Sequence, residues 1–245
     1  MAGAQVQFGV FRNLTGDDVL ASIARMAEDV SKCHILALCG GFSLGDEPDG
    51  SAKFIASVLN APAVAHQVEE LIARGGLILG ICNGFQALVK SGLLPYGKLG
   101  CVEKDSPTLF RNDINRHVSQ IVTTRVASVN SPWLAGMKVG DTFSIAVSHG
   151  EGKFVVCEQL ARELFSNSQV AFQYADPVSG EATMESPYNP NGSYYAIEGI
   201  VSRDGQILGK MGHSERYENN VFKNISGERL QPLFVNAVNY FRKTE

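Results

Sequence analysis

Residues 76–86 read GLILGICNGFQ, and this stretch decides the fold of the 245-residue chain. The apolar run Gly76–Ile81 predicts a strand buried on both faces, as in a parallel sheet covered by helices. After Cys82, apolar residues such as Phe85 and Val89 recur at helical spacing. Cys82 is therefore expected in a tight turn between a buried strand and a helix.

The same alternation of apolar runs and helical patterns extends toward the N-terminus. Ile35–Cys39 predicts a second buried strand, and a polar loop, FSLGDEPDG, follows it at residues 42–50. Pro62 is placed to open a helix, and Thr15 to cap an earlier one. Gln5–Phe11 is predicted as a further strand. The pattern predicts an α/β fold of the flavodoxin-like kind, a mostly parallel sheet with helices on both faces.

The second half of the chain changes character. Residues 176–195 are rich in turn formers and are predicted as a long surface loop. The step Asp204-Gly205 between two apolar runs predicts a hairpin, and an apolar stripe over residues 230–241 predicts a final helix. No repeat or linker divides the chain, so we expect one domain over residues 1–245. Three short segments predict added antiparallel strands that join the sheet or form a small satellite: 120–129, 142–147 and 169–174.

Composition excludes several classes of protein. Lys plus Arg number 21 against 25 Asp plus Glu, so the formal charge is −4 and no basic surface for nucleic acid is expected. No apolar run reaches the roughly 18 residues of a membrane helix, and no signal-peptide pattern opens the chain. The cysteines are odd in number and lack C-x-x-C spacing, which indicates reduced thiols in a cytoplasmic protein: Cys33, Cys39, Cys82, Cys101 and Cys157.

The glycines around Cys82 indicate a nucleophile. Gly80 and Gly84 give the G-x-nucleophile-x-G pattern of a nucleophile elbow, in which a sharp strand-to-helix turn exposes the reactive side chain. The partial positive charge of the helix N-terminus is expected to lower the pKa of the thiol. The alternative is a buried structural cysteine.

A thiol nucleophile needs a base and a group that orients the base. His213 is the favoured base, because Glu215 lies two residues on and projects to the same side of an extended segment. An exposed polar strand end is the alternative. The other histidines are expected in packing, surface or solvated positions, with His149 considered below: His34, His66, His117 and His149.

Acyl transfer also needs hydrogen-bond donors for the oxyanion that develops on the substrate. The strand Ile35–Cys39 ends at Gly40-Gly41, and its carboxyl end opens on the same sheet edge as the Cys82 turn. The backbone N–H groups of Gly41 and Asn83 are the candidate oxyanion hole. An ordinary turn is the alternative for the glycine pair.

Four segments carry a resemblance to a known family. In chain order they are LCGGFSLGD at 38–46, GICNGFQAL at 80–88, VSHGEGKF at 147–154 and GKMGHSERYEN at 209–219. They resemble the triad (class I) glutamine amidotransferases, and within these the glutaminase part of formylglycinamide ribonucleotide amidotransferase, also called phosphoribosylformylglycinamidine synthase. The resemblance runs from about residue 4 to the final helix. The triad of the family falls on the residues already singled out: Cys82, His213 and Glu215.

The resemblance implies further roles. Gln86 and the backbone of Ser148, His149 and Gly150 would hold the amino-acid end of bound glutamine, although His149 is equally interpretable as a turn histidine. The family passes ammonia to a synthetase domain or subunit that binds ATP, magnesium and formylglycinamide ribonucleotide. No cofactor or metal is expected in this chain. Set against the family, the chain is predicted to lack the first strand and helix.

The favoured function is hydrolysis of the glutamine side-chain amide through a Cys82 thioester, giving glutamate and ammonia for purine biosynthesis. One alternative is the glutaminase subunit of another amidotransferase. A cysteine peptidase or hydrolase on the same fold would share the triad without needing Gln86 or residues 148–150. A non-catalytic docking domain is the third alternative, and an intact triad argues against it.

Overall fold

The computed structural model describes residues 2–43, 50–218 and 221–242. The helices are α1 (Gly16–Lys32), α2 (Lys53–Leu59), α3 (Pro62–Ala73), α4 (Asn83–Ser91), α5 (Leu93–Tyr96), α6 (Glu158–Ser166) and α7 (Leu233–Arg242). The strands are β1 (Ile35–Leu38), β2 (Leu77–Ile81), β3 (Thr108–Phe110), β4 (Val118–Val126), β5 (Thr142–His149), β6 (Lys153–Val155), β7 (Val170–Ala175), β8 (Ile197–Val201) and β9 (Ile207–Lys210). Short 3-10 turns lie at Pro132–Leu134, Tyr194–Ala196 and Ser214–Arg216.

The main sheet is mixed, with the strand order β1-β2-β9-β8-β7-β4-β5. Among the described strands, parallel pairing joins β1 to β2 and β2 to β9, and the remaining pairs of this sheet are antiparallel. The α/β class with added antiparallel strands is confirmed. The expectation of a mostly parallel sheet is wrong, because four of the six pairings among the described strands of this sheet are antiparallel. The three predicted segments all join the main sheet, as β4, β5 and β7, and the small satellite is formed instead by β3 and β6, which the sequence analysis did not predict.

The two apolar runs of the sequence form the neighbouring strands β1 and β2, but only β2 is fully buried. The prediction of a buried strand at Ile35–Cys39 is wrong in its burial, because β1 is an edge strand among the described strands and only its Leu38 is buried. All of β2 is buried, as its uninterrupted apolar sequence predicts, and it lies between β1 and β9. Helix α4 follows β2 directly and packs back against it. The predicted hairpin is formed by β8 and β9, so the segment after β9 begins beside the end of β2. This arrangement places His213 next to Cys82 in the fold.

Local signals place the helix ends correctly. Thr15 caps α1 by accepting a hydrogen bond from the Asp18 backbone N–H at 3.1 Å, as predicted. Pro62 is the first residue of α3, also as predicted.

Helix α1 packs against α3. In the described ranges, no helix is both long and apolar enough to cross a bilayer.

The predicted strand at Gln5–Phe11 is wrong. Residues 5–11 form no regular structure, and the side chain of Phe8 is 83% exposed. Extended backbone needs a neighbouring strand to satisfy its N–H and C=O groups, and no described strand pairs with residues 5–11. Phe11 packs instead against the ring of Phe54, with 5.1 Å between centroids.

Two other predictions need adjustment. The loop at 176–195 is exposed over much of its first part, but Asn189, Asn191 and Ser193 are buried. The final helix begins at Leu233, after Leu230, and its Phe234 is 36% exposed rather than part of the core. Most of the predicted loop at 42–50 lies outside the described residues.

Candidate active site

Cys82 occupies a sharp turn between β2 and α4. Its backbone has φ 53° and ψ −107°, a conformation that side-chain-bearing residues rarely adopt and that typifies strained functional sites. The side chain is 7% exposed, and its Sγ lies 3.7 Å from the Ser148 carbonyl oxygen, to which the thiol donates.

Glycines on either side make this turn possible. A Cβ on Gly80 would lie 2.6 Å from the Gly84 carbonyl oxygen, and a Cβ on Gly84 would lie 2.1 Å from the Leu38 carbonyl oxygen. Both positions therefore need to lack a side chain if α4 is to start directly above β1 and β2. The pattern read from the sequence thus has a steric cause.

The thiol of Cys82 is neutral in this site. Burial raises its pKa to about 11, although the backbone N–H groups of Asn83 and Gly41 and the nearby Arg216 act in the opposite direction. The expectation of a lowered pKa is wrong, because loss of solvation outweighs the helix terminus. Cys82 consequently needs a base to remove its proton.

His213 is held as such a base. Its Nδ1 lies 2.6 Å from Glu215 Oε1, and its Nε2 is buried with no hydrogen-bond partner. Burial alone would raise the pKa of Glu215, but the hydrogen bond and charge of His213 bring it below its usual value. With Nδ1–H donated to this carboxylate, Nε2 is the atom that can accept a proton.

Gly40 shows how close His213 and Cys82 are. A Cβ built on Gly40 would lie 2.9 Å from His213 Cε1 and 3.1 Å from Cys82 Cβ. The imidazole and the thiol side chain therefore border the same small space at the end of β1. The structure brings together all three residues of the predicted triad.

The two predicted oxyanion donors lie beside the sulfur. The backbone N–H groups of Gly41 and Asn83 both stabilise the ionised form of Cys82, which places them next to Sγ. Gly41 has φ 128°, a conformation that favours glycine. The Asn83 side chain is buried and donates to Ser43 Oγ at 3.1 Å. Both amides therefore border the space beside the sulfur, where an oxyanion hole would need hydrogen-bond donors.

Comparison with known proteins identifies the family of this chain. The CobB/CobQ-like glutamine amidotransferase domain matches residues 1–241. The chain belongs to this family. The family resemblance and the α/β fold class read from the sequence are both confirmed.

Relatives of this amidotransferase have a consistent name. Subunit PurQ of phosphoribosylformylglycinamidine synthase from Gloeobacter violaceus is 34% identical over 203 residues, covering 83% of this chain and 79% of that protein. The PurQ subunit from Koribacter versatilis is 33% identical over 214 residues, covering 86% and 84%. The structure of PurLQS from Thermotoga maritima matches with a TM-score of 0.62 and 26% identity over 85% of this chain and 80% of that one.

The remaining predicted residues of the amidotransferase site lie in two places. Ser148 and His149 end β5 and Gly150 follows them, within a segment that we call the 148–152 turn, and Gln86 lies on α4. Gln86 is buried, and its amide donates to the backbone carbonyl of Glu151, so this side chain holds the turn. Ser148 Oγ lies 3.1 Å from His117 Nε2, and the Gly150 carbonyl accepts the Asn112 N–H at 3.0 Å. The Ser148 carbonyl accepts the thiol hydrogen of Cys82, which shows that the turn runs beside this residue.

His149 is buried within this turn. It is 4% exposed, neither ring nitrogen has a partner, and a Cβ on Gly152 would lie 2.4 Å from its ring. Burial, with the nearby His117 and His213, lowers its pKa to about 4. His149 is therefore an uncharged imidazole at neutral pH.

Sequence reasoning missed the residues that support the turn. Asn112 is buried, donates to the carbonyls of His149 at 2.9 Å and Arg116 at 3.0 Å, and accepts the Gly152 N–H at 3.0 Å. Asn191 donates to the Gly152 carbonyl at 2.8 Å. Asparagine in a loop is an ordinary turn signal, so nothing in the local sequence distinguishes these two residues.

The other three histidines are exposed to solvent. His34 is exposed beside the ring of Phe241, 5.2 Å between centroids, and His66 is exposed on α3. His117 is exposed as predicted, yet its contact with Ser148 places it at the rim of the site. In the part of the chain that the structure describes, no three His, Cys, Asp or Glu side chains are grouped to hold a metal ion.

Proposed function

We propose that this chain is the glutaminase component of phosphoribosylformylglycinamidine synthase, releasing ammonia from glutamine for purine biosynthesis. The observation that carries the proposal is the grouping of Cys82, His213 and Glu215 with two backbone amides at the sulfur. The family match over residues 1–241 and the relatives named PurQ support the same function.

The chemistry follows from the positions of these groups. His213 Nε2 takes the proton of the Cys82 thiol as the sulfur attacks the side-chain amide carbon of glutamine. The amides of Gly41 and Asn83 bind the oxygen that gains negative charge. His213 then donates the proton to the departing nitrogen, which leaves as ammonia. A water activated by His213 hydrolyses the thioester to glutamate and restores the thiol.

The 148–152 turn is the proposed site for the amino-acid end of glutamine. The Ser148 carbonyl contacts the thiol of Cys82, His149 and Gly150 follow directly, and Gln86 and Asn112 hold this segment in place. The polar backbone of a buried turn can bind both charged groups of an amino acid at fixed distances from the sulfur. In this assignment Gln86 acts by holding the turn, and the uncharged His149 fills its interior.

The proposed partner is the synthetase that uses the ammonia. PurQ and PurL are combined in the PurLQS structure from Thermotoga maritima, and the same kind of assembly is proposed for this chain. ATP, magnesium and formylglycinamide ribonucleotide would bind to the synthetase, with no cofactor in this domain. The proposed location is the cytoplasm.

The alternative functions explain fewer of the observations. A cysteine peptidase would require the triad, but it would not require the support that Gln86 and Asn112 give to the 148–152 turn. A docking domain without catalysis would not require His213 Nε2 to be left unpaired beside the thiol.

Selective covalent labelling tests the proposal. A chloroketone analogue of glutamine, applied at pH 7, should modify Cys82 because binding places its electrophilic carbon at the sulfur beside His213. Iodoacetamide at the same pH should prefer the exposed Cys39 and Cys157, because the buried thiol of Cys82 is not ionised.

Peptide mass mapping after each reagent gives the answer, with excess glutamine as the competitor. We expect glutamine to protect Cys82 from labelling, and we expect D-glutamate methyl ester not to protect it. Chloroketone labelling spread over the cysteines, or unaffected by glutamine, would contradict the proposed function.

A further inference from the structure

A buried ion pair lies behind the catalytic histidine. The side chains of Lys210 and Glu198 are both 0% exposed, and Nζ lies 3.3 Å from Oε1. They belong to the paired antiparallel strands β9 and β8. Burying two charges carries a large desolvation cost, and apolar residues of similar size often give equal or greater stability. The pair therefore calls for an explanation other than stability.

Both side chains hold the residues that flank His213. Lys210 Nζ donates to the Gly212 carbonyl at 2.9 Å and to Ser214 Oγ at 3.2 Å. Glu198 Oε1 accepts the Gly212 backbone N–H. The residue before the histidine is thus fixed at its N–H and its C=O, and the residue after it is fixed through its hydroxyl.

The fit around Gly212 is close. A Cβ there would lie 2.8 Å from Glu198 Oε1 and 3.0 Å from Lys210 Nζ. The two charged groups therefore press against the backbone of the segment, and a change in their position changes the position of the segment.

The backbone of Lys210 holds the nucleophile as well. Its carbonyl oxygen accepts the Cys82 N–H at 2.8 Å, and Lys210 is the register partner of Ile81 at the end of β2. Lys210 is consequently bonded to Cys82 through its main chain and to the His213 segment through its side chain. A shift of about 1 Å between a nucleophile and its base can cost about 100-fold in rate.

We propose that Lys210 and Glu198 are positioning residues that set the separation between Cys82 and His213 for proton transfer. This inference rests on the proposed glutaminase function. It assigns the two side chains no contact with glutamine, so their loss should lower kcat while leaving KM for glutamine nearly unchanged.

The test uses Lys210→Met, Glu198→Gln and the double variant, assayed for ammonia release with the synthetase partner present. Each single variant leaves one buried charge unpaired, so its Tm should fall. The double variant removes both charges, so its Tm should return toward that of the unchanged protein. Its kcat should nevertheless stay about 10- to 100-fold low with KM changed less than about twofold.

The control pair is Glu28→Gln with Lys32→Met on α1, where the two groups form an exposed ion pair of 2.6 Å. These changes should leave kcat, KM and Tm unaltered. Recovery of both Tm and kcat in the Lys210/Glu198 double variant would overturn the inference, because the pair would then be structural only.

Glu198→Gln keeps the inference testable if the other variants fail to fold. It preserves the size of the side chain and an oxygen for the Gly212 N–H, and it should lower kcat with KM retained. An unaltered kcat in this variant would also overturn the inference. Absence of glutaminase activity in the unchanged protein with its synthetase would instead contradict the proposed function.

Discussion

Cys82 and His213 border the same space beside Gly40, but different kinds of contact hold them. Cys82 is fixed mainly by its own stretch of chain, with the buried strand β2 before it, the helix α4 after it and two glycines that allow the turn, and its N–H adds one bond to the distant Lys210 carbonyl. His213 lies in a loop, and its N–H is bonded to the Ala146 carbonyl at 2.8 Å.

The histidine side of the site is assembled from distant segments. Glu198 and Lys210 hold the residues on either side of His213, and the Ser214 hydroxyl also donates to Gln231. The turn at 148–152 depends in the same way on Asn112 and Asn191. Backbone sterics position Cys82, whereas a network of buried polar groups positions His213 and the 148–152 turn.

The largest expected effect is the loss of activity when His213 is removed, and it tests whether Cys82 and His213 act as one catalytic unit. His213→Ala should reduce ammonia release by about 10⁴-fold or more, because the neutral thiol of Cys82 then has no base. Glu215→Gln should reduce it less, about 10²- to 10³-fold, since this carboxylate orients the imidazole and is 39% exposed.

Steady-state assays with the synthetase present would measure both variants, and circular dichroism would verify their folding. Cys82→Ser is the matched change on the other side of the site and should be as inactive as His213→Ala. Substantial turnover by His213→Ala would mean that the two sides are not one unit.

A smaller effect is expected from the steric requirement on the nucleophile side. Gly84→Ala places a methyl group against the Leu38 carbonyl and should lower the free energy of unfolding by about 2–3 kcal/mol. Gly16→Ala at the start of α1 is the control, because no heavy atom lies within 4 Å of its added Cβ.

Urea unfolding of these two alanine variants supplies the measurement. The control should be neutral or slightly stabilising, since alanine favours helix more than glycine does. Equal stability of both variants would show that the strand-to-helix turn tolerates a side chain, and the steric account of Cys82 would fail.

The effect that is smallest at neutral pH concerns the buried His149, and it grows only as the pH is lowered. His149 has a pKa lowered to about 4 by burial, with contributions from His117 and His213. Between about pH 6.5 and 4 the unfolded chain binds a proton at this residue and the folded chain does not, so stability falls as the pH falls. His149→Gln should reduce this slope by up to about 1.4 kcal/mol per pH unit.

Thermal unfolding across that pH range would follow the effect. His66→Gln is the control, because it removes a histidine from an exposed position on α3. An unchanged slope in His149→Gln would mean that His149 does not remain uncharged in the folded turn.

The sequence was most informative about features that depend on neighbouring residues, such as apolar periodicity, tight turns and helix caps. The alternation of apolar runs predicted the α/β class, the glycines around Cys82 predicted the turn, and Thr15 and Pro62 predicted helix starts. It failed at Gln5–Phe11, because an apolar extended pattern becomes a strand only when another strand pairs with it. It also failed for the pKa of Cys82, because burial depends on the whole fold.

By itself, then, the sequence determined the family, the strand-to-helix turn at Cys82 and the residue types of the triad, since these depend on backbone sterics and short spacings. Tertiary structure alone decided that Asn112 and Asn191 support the 148–152 turn and that Lys210 and Glu198 hold the residues on either side of His213. The physical reason is that buried polar groups need partners, and the chain supplies those partners from residues far apart in sequence.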